Sequence, residues 1–435
     1  MKLSVVSTNR LRAPDPLIPI GAATVAGRAR ALGHAVRILD LCDEADPAVA
    51  VTGHFEGWAP DVVAVSIRNL ENNQLFGHHS FLADVRQVIG HIKAQSSAPV
   101  IAGGAGFSLF PLEAARTVGA DGGFAGEVED SLDSVLAWAA GTEGSRDILR
   151  PLGAFLATDS AAPSCEMSTS WAGPGAPLPA YDLLDCSRYV EEGAVLPVEA
   201  KRGCSLRCSF CPDGVAGASV RLKDPSVLVD EIKHLIALVG TDRLFFTDGI
   251  FQIPRPHAEG VCRELIRRDV GVRWSCGINP VGLDRGLLEL MREAGCRIVA
   301  LGLDAVTPAM LQRYRKDFGI EEIERSLADI RAADLRHTIH ILFGGPGETE
   351  DSVSRALDEL ERLAPDDNVF LAVGLRVFKR TALEAEAVEE GVAGSEGAVL
   401  EPLPTYYLSP ALGSDIVERI RARCRPHPGW HTVPF

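Results

Sequence analysis

Apolar residues along this chain come in short unbroken runs, each followed by a stretch in which they recur at helical spacing. In the first third the runs fall at 3–7, 35–39, 61–67, 99–102 and 119–124, and residues 17–32 carry a helical repeat that stops at Gly33. Strands that are apolar throughout, joined by helices, predict a parallel sheet covered on both faces. Five such units over residues 1–140 predict an α/β, Rossmann-like doubly wound sheet, with its ligand beyond the carboxyl ends of the strands. Residues 141–195 change character. Ala161-Ala162-Pro163-Ser164 and Gly173-Pro174-Gly175-Ala176-Pro177-Leu178-Pro179 are loop chemistry, and the segment reads as a linker between domains. From 196 the alternation resumes, with strands at 196–202, 243–247, 271–276, 297–303, 337–343 and 369–377. Helices are predicted at 225–239, 256–269, 284–294, 319–333 and 349–363. Six strands with intervening helices predict a partial (β/α)6 barrel over 196–390, with catalytic groups at the carboxyl ends of its strands. Residues 391–435, with many prolines and aromatics, read as a short irregular C-terminal capping region.

The 435 residues fit two or three domains, and 46% hydrophobic content is enough for full-sized cores. A formal net charge of -16 argues against a nucleic-acid partner, because phosphate binding needs a basic surface. The first residues read as a buried strand and not a signal peptide, and no apolar stretch approaches the roughly 20 residues that cross a bilayer. The expectation is a cytoplasmic protein with no membrane partner. Of ten cysteines, three lie within eight positions and the other seven are scattered. That pattern suits a reduced compartment better than a disulfide framework.

The clustered cysteines lie in Lys201-Arg202-Gly203-Cys204-Ser205-Leu206-Arg207-Cys208-Ser209-Phe210-Cys211-Pro212, directly after the first barrel strand. Spacings of four and three residues let one loop present three thiolates to a cubane cluster and leave one iron without a protein ligand. A purely electron-transferring cluster calls for four cysteines. A structural zinc site is a second reading, although it wants a fourth ligand that is not nearby. Three unrelated buried cysteines are a third. The Cys-x-x-x-Cys-x-x-Cys spacing, with Arg-Gly before it and Phe inside it, resembles the signature of the radical S-adenosylmethionine (SAM) superfamily, over about residues 196–390. The resemblance implies that Cys204, Cys208 and Cys211 hold a [4Fe–4S] cluster whose open iron chelates SAM and cleaves it reductively. It also implies SAM contacts. Phe210 would meet the adenine. Asp248, ending Phe245-Phe246-Thr247-Asp248, would meet the ammonium, in place of the commoner Gly-Gly-Glu. Ser275 and Asp304, at the ends of the third and fourth strands, would meet ribose or carboxylate. Gly344 and Gly345, in Leu342-Phe343-Gly344-Gly345-Pro346-Gly347-Glu348-Thr349, would let the backbone approach the adenine.

The first domain resembles the cobalamin-binding domain that precedes many radical SAM domains. The matching residues are Leu17-Ile18-Pro19-Ile20-Gly21, Gly33-His34-Ala35-Val36-Arg37-Ile38-Leu39-Asp40, Val65-Ser66-Ile67-Arg68-Asn69, Ala102-Gly103-Gly104-Ala105-Gly106-Phe107 and Gly126-Glu127-Val128. The resemblance implies a corrin lying over the strand ends with its nucleotide tail beside the sheet. Contacts would come from Ser66, Gly103, Gly104, Phe107, Gly126 and Glu127, and Arg68 and Asn69 would be the side chains nearest the lower face of cobalt. One family feature is missing: the loop at residues 8–19 has no histidine to ligate cobalt, and His54 with Gly57 follows the second strand instead. A Rossmann-like domain that binds nothing is the other reading. A dinucleotide site is disfavoured, since no Gly-x-Gly-x-x-Gly follows the first strand.

Together the resemblances imply a cobalamin-dependent radical SAM enzyme. Most such relatives transfer a methyl group to an unactivated carbon, here in a small-molecule specialised metabolite, with electrons from a flavodoxin- or ferredoxin-type carrier. A non-methylating outcome (cyclisation, ring contraction or oxidation) and an iron–sulfur sensor without turnover stay open. The segment from Glu401 to Leu412 resembles a recurring tail of these proteins. Its Tyr406 and Tyr407 either cap the barrel mouth and touch substrate or pack at a seam.

Overall fold

The first strand, β1 (Lys2–Ser7), sits inside its sheet and is buried from Leu3 onward. In the computed structural model, which describes residues 1–12, 16–141, 153–161, 167–168, 170–173, 175–214, 220–395, 397–400 and 404–432, the chain divides into two units. One comprises residues 1–72, 79–197 and 231–241, the other residues 73–78, 198–230 and 242–435.

The first unit continues with α1 (Ile20–Ala31), β2 (Ala35–Asp40), α2 (Pro47–Phe55), β3 (Val62–Ser66), α3 (Leu82–Gln95), β4 (Val100–Gly103), α4 (Pro111–Val118), β5 (Gly122–Phe124) and α5 (Leu132–Ala139). The helix ends are encoded locally. Asp46 accepts from the Ala48 and Val49 N–H groups at the start of α2, and Pro111 opens α4 while Gly119, at φ 75°, closes it. The sheet order is β2-β1-β3-β4-β5-β6, and the first five strands are parallel. Leu3, Val5, Val62 and Ile101 pack with Ala22, Ala26 and Ala29 of α1 in its core. In register, Ser7 pairs with Asp40 and Ser66, and Ser66 with Gly103. These four residues therefore stand in a row at the carboxyl ends, and the strand order reverses between β1 and β3.

Two segments differ from the expectation. The stretch read as a linker contributes β6 (Ala154–Leu156), which pairs antiparallel with β5, and α6 (Cys186–Glu191), whose Tyr189 hydroxyl donates to the buried Asp40 carboxylate. The three residues of β6 stand among loop-forming residues and become a strand through their pairing with β5. Residues 73–78 pack within the second unit, with Leu75 against Gly374 and the His78 ring edge-on to Tyr406 at 6.1 Å.

The second unit is built on a seven-stranded sheet ordered β17-β14-β13-β12-β11-β10-β7. The strands are β7 (Leu196–Val198), β10 (Arg243–Phe246), β11 (Arg273–Ile278), β12 (Cys296–Asp304), β13 (Arg336–Phe343), β14 (Asn368–Val373) and β17 (Trp430–Thr432), with short ribbons β8 (Lys201–Arg202) with β9 (Arg221–Leu222) and β15 (Leu375–Arg376) with β16 (Tyr406–Tyr407). From β10 to β17 every pairing is parallel. The region read as irregular beyond 391 supplies β17 and a helix at Ile416–Cys424, so the sheet has a seventh strand. Along β12, buried Val299, Leu301 and Leu303 alternate with half-buried Ala300, Gly302 and Asp304. One face thus packs in the core and the other stays partly open, as strands of a partial barrel require. Among the described residues no helix is long and apolar enough to cross a membrane.

Candidate functional site

The loop leaving the first strand of the second unit carries Cys204, Cys208 and Cys211, all three half-buried, whereas the other described cysteines (42, 186, 262, 276, 296 and 424) are buried. Backbone bonds hold this loop from several sides. Ser209 N–H donates to the Tyr314 carbonyl at 3.1 Å, Leu383 N–H to the Ser209 carbonyl at 2.9 Å, and Cys211 N–H to the Cys208 carbonyl at 3.3 Å. Gly203, at φ 85°, makes the turn that starts it. No three His, Cys, Asp or Glu among the described residues are gathered as a single-ion site. The chemistry of the donor set is three soft sulfur ligands on one loop, with access from solvent. That fits a cluster with one iron left open better than a closed zinc site.

Lys316 is the partner that the sequence did not reveal. Its Nζ lies 3.4 Å from Cys208 Sγ, is ion-paired to Asp304, and sits 5.4 Å from the centre of the Phe210 ring. Burial works against the Lys316 charge, but Asp304 and Cys208 outweigh it and raise the ammonium's pKa. Burial pushes the Cys208 thiol up while Lys316 pulls it back. Asp304 is therefore committed to a lysine, and it stands at φ 61° at the end of β12, where the pairing with β13 shifts register. Phe210 packs edge-on against Tyr314 at 5.3 Å.

Asp248 is buried after β10. Its Oδ1 accepts from Ala200 N–H at 2.9 Å and Lys201 N–H at 3.1 Å, and its Oδ2 has no hydrogen-bond partner. Burial, partly offset by those N–H groups and by the Lys201 charge, raises its pKa to about 6. A buried carboxylate oxygen left unbonded is a natural receiver for a cationic ligand group. Ser275 is a strand residue. β11 runs on to Ile278, so Ser275 lies three residues inside the strand, opposite Ile298. The alternation of buried Trp274, Cys276 and Ile278 continues past the predicted end. On the face that carries Asp304, His340 stacks on Phe370 at 5.2 Å, and Phe370 lies 5.3 Å from the His431 ring. Burial lowers the pKa of His340, and the Asp304 charge works against that lowering.

The glycine turn after β13 is tied to its own helix. Gly344 and Gly345 N–H both donate to Glu348 Oε2, the latter at 3.2 Å, and Thr349 caps the helix Glu350–Leu363 by accepting from Ser352 N–H. Ser409 clamps the turn, its N–H on the Gly344 carbonyl at 2.8 Å and its hydroxyl on the Glu348 carbonyl at 2.6 Å. The glycines are required by protein neighbours. A Cβ at Gly345 would lie 2.4 Å from Tyr314 Oη, and one at Gly344, where φ is 97°, 2.7 Å from Leu408 Cδ1. Tyr314 thus supports both the cysteine loop and the glycine turn. Tyr407 is fully buried with its hydroxyl on Glu390, so it is a packing residue and not a cap over substrate. Tyr406 is half-buried beside Arg376 and His78. Glu401, Pro402 and Leu403 of the same tail lie outside the described residues.

Glu348 yields a pH prediction. Burial raises its pKa from 4.5 to about 7, against the two backbone donors that lower it. A carboxyl whose folded pKa is raised stabilises the fold fully below the unfolded value, and that stability is lost as pH climbs through the folded one. Glu348→Gln keeps an acceptor oxygen for both N–H groups. The variant should gain stability over the wild type between pH 5 and pH 8, by on the order of 3 kcal/mol at the upper end. Urea midpoints measured across that range would refute this by showing a flat difference.

In the first unit a cavity of about 400 Å³ opens at the carboxyl ends of β1, β2 and β3, lined among others by Thr8, Asn9, Cys42, Arg68, Asn69 and Phe81. It lies where the strand order reverses, the usual place for a ligand in an open α/β sheet. Asn9 Nδ2 is buried there without a partner, a donor that no sequence motif singles out. That orphan amide fits a ligand bordered by acceptor groups, as the amide-fringed corrin is. A pocket of this volume holds only part of so large a molecule. Ser66 and Gly103 adjoin each other at the strand ends. Gly103 has room for a Cβ, with only the Phe124 carbonyl at 3.7 Å. Gly104 is different: φ is 114° and a Cβ would lie 2.6 Å from the Ile67 carbonyl, so the backbone needs glycine there. Gly126, at φ 100°, donates its N–H to Ser108 Oγ, and Glu127 accepts from Ser168 N–H at 3.0 Å. Phe107 is fully buried, stacked on Phe155 and wedged against Gly123. It is a core residue and not a cofactor contact. His54 bonds Ser4 Oγ at 3.1 Å, and burial lowers its pKa to about 4.

Two family models match the chain: the radical SAM superfamily over residues 198–360 and the B12 binding domain over residues 7–136. Among curated proteins, tryptophan 2-C-methyltransferase of Streptomyces laurentii is 24% identical, over 89% of this chain and 74% of that protein. Anaerobic magnesium-protoporphyrin IX monomethyl ester cyclase of Rubrivivax gelatinosus is 28% identical, over 45% of this chain and 35% of that protein. Among solved structures, the radical SAM methyltransferase TsrM from Kitasatospora setae, with cobalamin and a [4Fe–4S] cluster bound, matches with a TM-score of 0.83. The match has 23% identity and covers 97% of this chain and 90% of that one. At that identity the likeness is one of fold.

Proposed function

The chain belongs to the radical SAM superfamily and carries a B12-binding domain ahead of its radical SAM domain, and from that premise we propose that it methylates a carbon of a small molecule using a [4Fe–4S] cluster, SAM and cobalamin. The observation that carries this reading is the loop of three accessible thiols, anchored on the same tyrosine as the glycine turn. Likeness over most of the chain to a tryptophan C-methyltransferase supports methyl transfer as the outcome. When bound, the three cofactors supply reductive carbon–sulfur cleavage and a methyl carrier, chemistry that no side chain offers.

The residues then divide the work of binding. Cys204, Cys208 and Cys211 hold the cluster. The free Asp248 Oδ2 receives the SAM ammonium, and Phe210 with the turn at Gly344 and Gly345 borders the adenine. Ser66, Gly103, Asn9, Arg68 and Asn69 would border the corrinoid at the strand ends of residues 1–140, in a cavity that His79 also lines. Residues 196–390 carry the radical SAM domain, with β17 from 391–435 added to its sheet, while β6 from 141–195 belongs to the first sheet. The partners are the substrate and an external one-electron carrier of flavodoxin or ferredoxin type, in the cytoplasm.

Anaerobic turnover with labelled SAM, over a panel beginning with tryptophan and other small aromatic molecules, tests the reading. The expected result is labelled methyl in the product, with S-adenosylhomocysteine and deoxyadenosine in about equal amounts once abortive cleavage is subtracted. Deuterium on the target carbon should appear in deoxyadenosine. Labelled product without deoxyadenosine would keep methyl transfer and remove the radical step. Deoxyadenosine with an unlabelled product would select a non-methylating reaction, as in the cyclase relative. Neither product from any reduced, cofactor-loaded mixture would favour a sensor.

A further inference from the structure

We propose that Lys316 is a positioning residue that acts through Cys208: it donates a charged hydrogen bond to this cluster thiolate and raises the reduction potential of the cluster. The inference rests on the reading of Cys204, Cys208 and Cys211 as cluster ligands. Its basis is geometric. Lys316 Nζ is 3.4 Å from Cys208 Sγ, and only 6% of the side chain is exposed. A buried ammonium is costly unless paired, and here one partner is Asp304 and the other is the thiol. The pairing is built into the backbone. Asp304 is held at φ 61° and Arg315, next to the lysine, at φ 54°, conformations that side-chain-bearing residues seldom adopt. Lys316 N–H is fixed on the Leu311 carbonyl at 2.9 Å, and the neighbouring Tyr314 carbonyl takes the Ser209 N–H of the cysteine loop. The lysine and the loop it touches are therefore braced against each other.

The consequence follows from charge. Reduction brings one electron from the external carrier onto the cluster, and the carrier is oxidised by that electron. The cluster and its thiolates become one unit more negative, and no bond forms or breaks. A fixed cation hydrogen-bonded to one thiolate favours that more negative state, since hydrogen bonds to the sulfurs and local charge set the potentials of such clusters. Asp304 keeps the ammonium aimed at the sulfur.

The test is an EPR-monitored redox titration of reconstituted wild type, Lys316→Met, Lys316→Gln and Lys316→Arg, with iron counted in each. At the wild-type midpoint Lys316→Met should show about tenfold less reduced over oxidised cluster, a shift of about 59 mV to the negative for one electron. Lys316→Arg should restore most of the difference, and Lys316→Gln should fall between. A midpoint for Lys316→Met equal to wild type overturns the proposal. So does an Arg variant displaced as far as the Met variant, because shape and not charge would then be at work. If Lys316→Met takes up no iron, the Gln and Arg variants carry the comparison. If neither neutral variant loads while Lys316→Arg does, the lysine serves assembly and the proposal falls. A wild type that takes up no cluster defeats instead the reading of the three cysteines.

Discussion

Protein carrying Cys204→Ala, Cys208→Ala and Cys211→Ala together should come out of anaerobic reconstitution with background iron, where the wild type holds about four irons and four sulfides per chain. Each single substitution should also lose most of the cluster, since no other thiol stands on the loop. The contrast is with the buried cysteines. A cluster ligand must be reachable, and Cys186, Cys262, Cys276, Cys296 and Cys424 are closed off in the core while the three loop thiols are half-buried. Cys262→Ala, Cys276→Ala and Cys296→Ala should cost some stability and keep full iron. Iron and sulfide assays with the visible charge-transfer band decide the matter. Full iron and colour in the triple variant would mean that the ligands have been misassigned.

Cobalamin loading should collapse in Gly103→Trp while the cluster stays. A Cβ at Gly103 meets nothing closer than the Phe124 carbonyl at 3.7 Å, so the fold accepts a side chain there. An indole would nevertheless stand at the strand end beside Ser66, which is where the proposed function puts the corrinoid. Gly104→Ala is the control, because its Cβ runs into the Ile67 backbone at a φ of 114°. That variant should lose about 1–3 kcal/mol of stability from the strained backbone, and more from the contact with Ile67. Cobalt content, iron content and thermal unfolding measured together separate the two effects. Normal cobalt in a well-folded Gly103→Trp would move the corrinoid away from this strand end.

What the sequence determined by itself was local. The cysteine spacing, the strand runs and the helix at Pro225–Val239, which occupies its predicted range, depend on residues a few positions apart, and so does the closure of the glycine turn by Glu348 and Thr349. Apolar runs likewise located the parallel strands of both sheets except β17, because the run around even a short strand such as β5 or β7 extends past its paired residues. Tertiary structure decided the rest. β6 and β17, three residues each, become strands only because a neighbouring strand offers them partners. Phe107 and Tyr407 are aromatic residues next to motif glycines or in a tail, and only packing shows that both are buried. Ser275 belongs to the segment that ends the third strand, but the pairing carries that strand on to Ile278. Lys316 lies more than a hundred positions from Cys208, and Asn9 is one polar residue in a loop of unremarkable composition. No spacing rule links such residues to a site. They reach it because the parallel sheets bring successive strand ends to one edge, and burial then turns a stray ammonium or amide into a group that must find a partner.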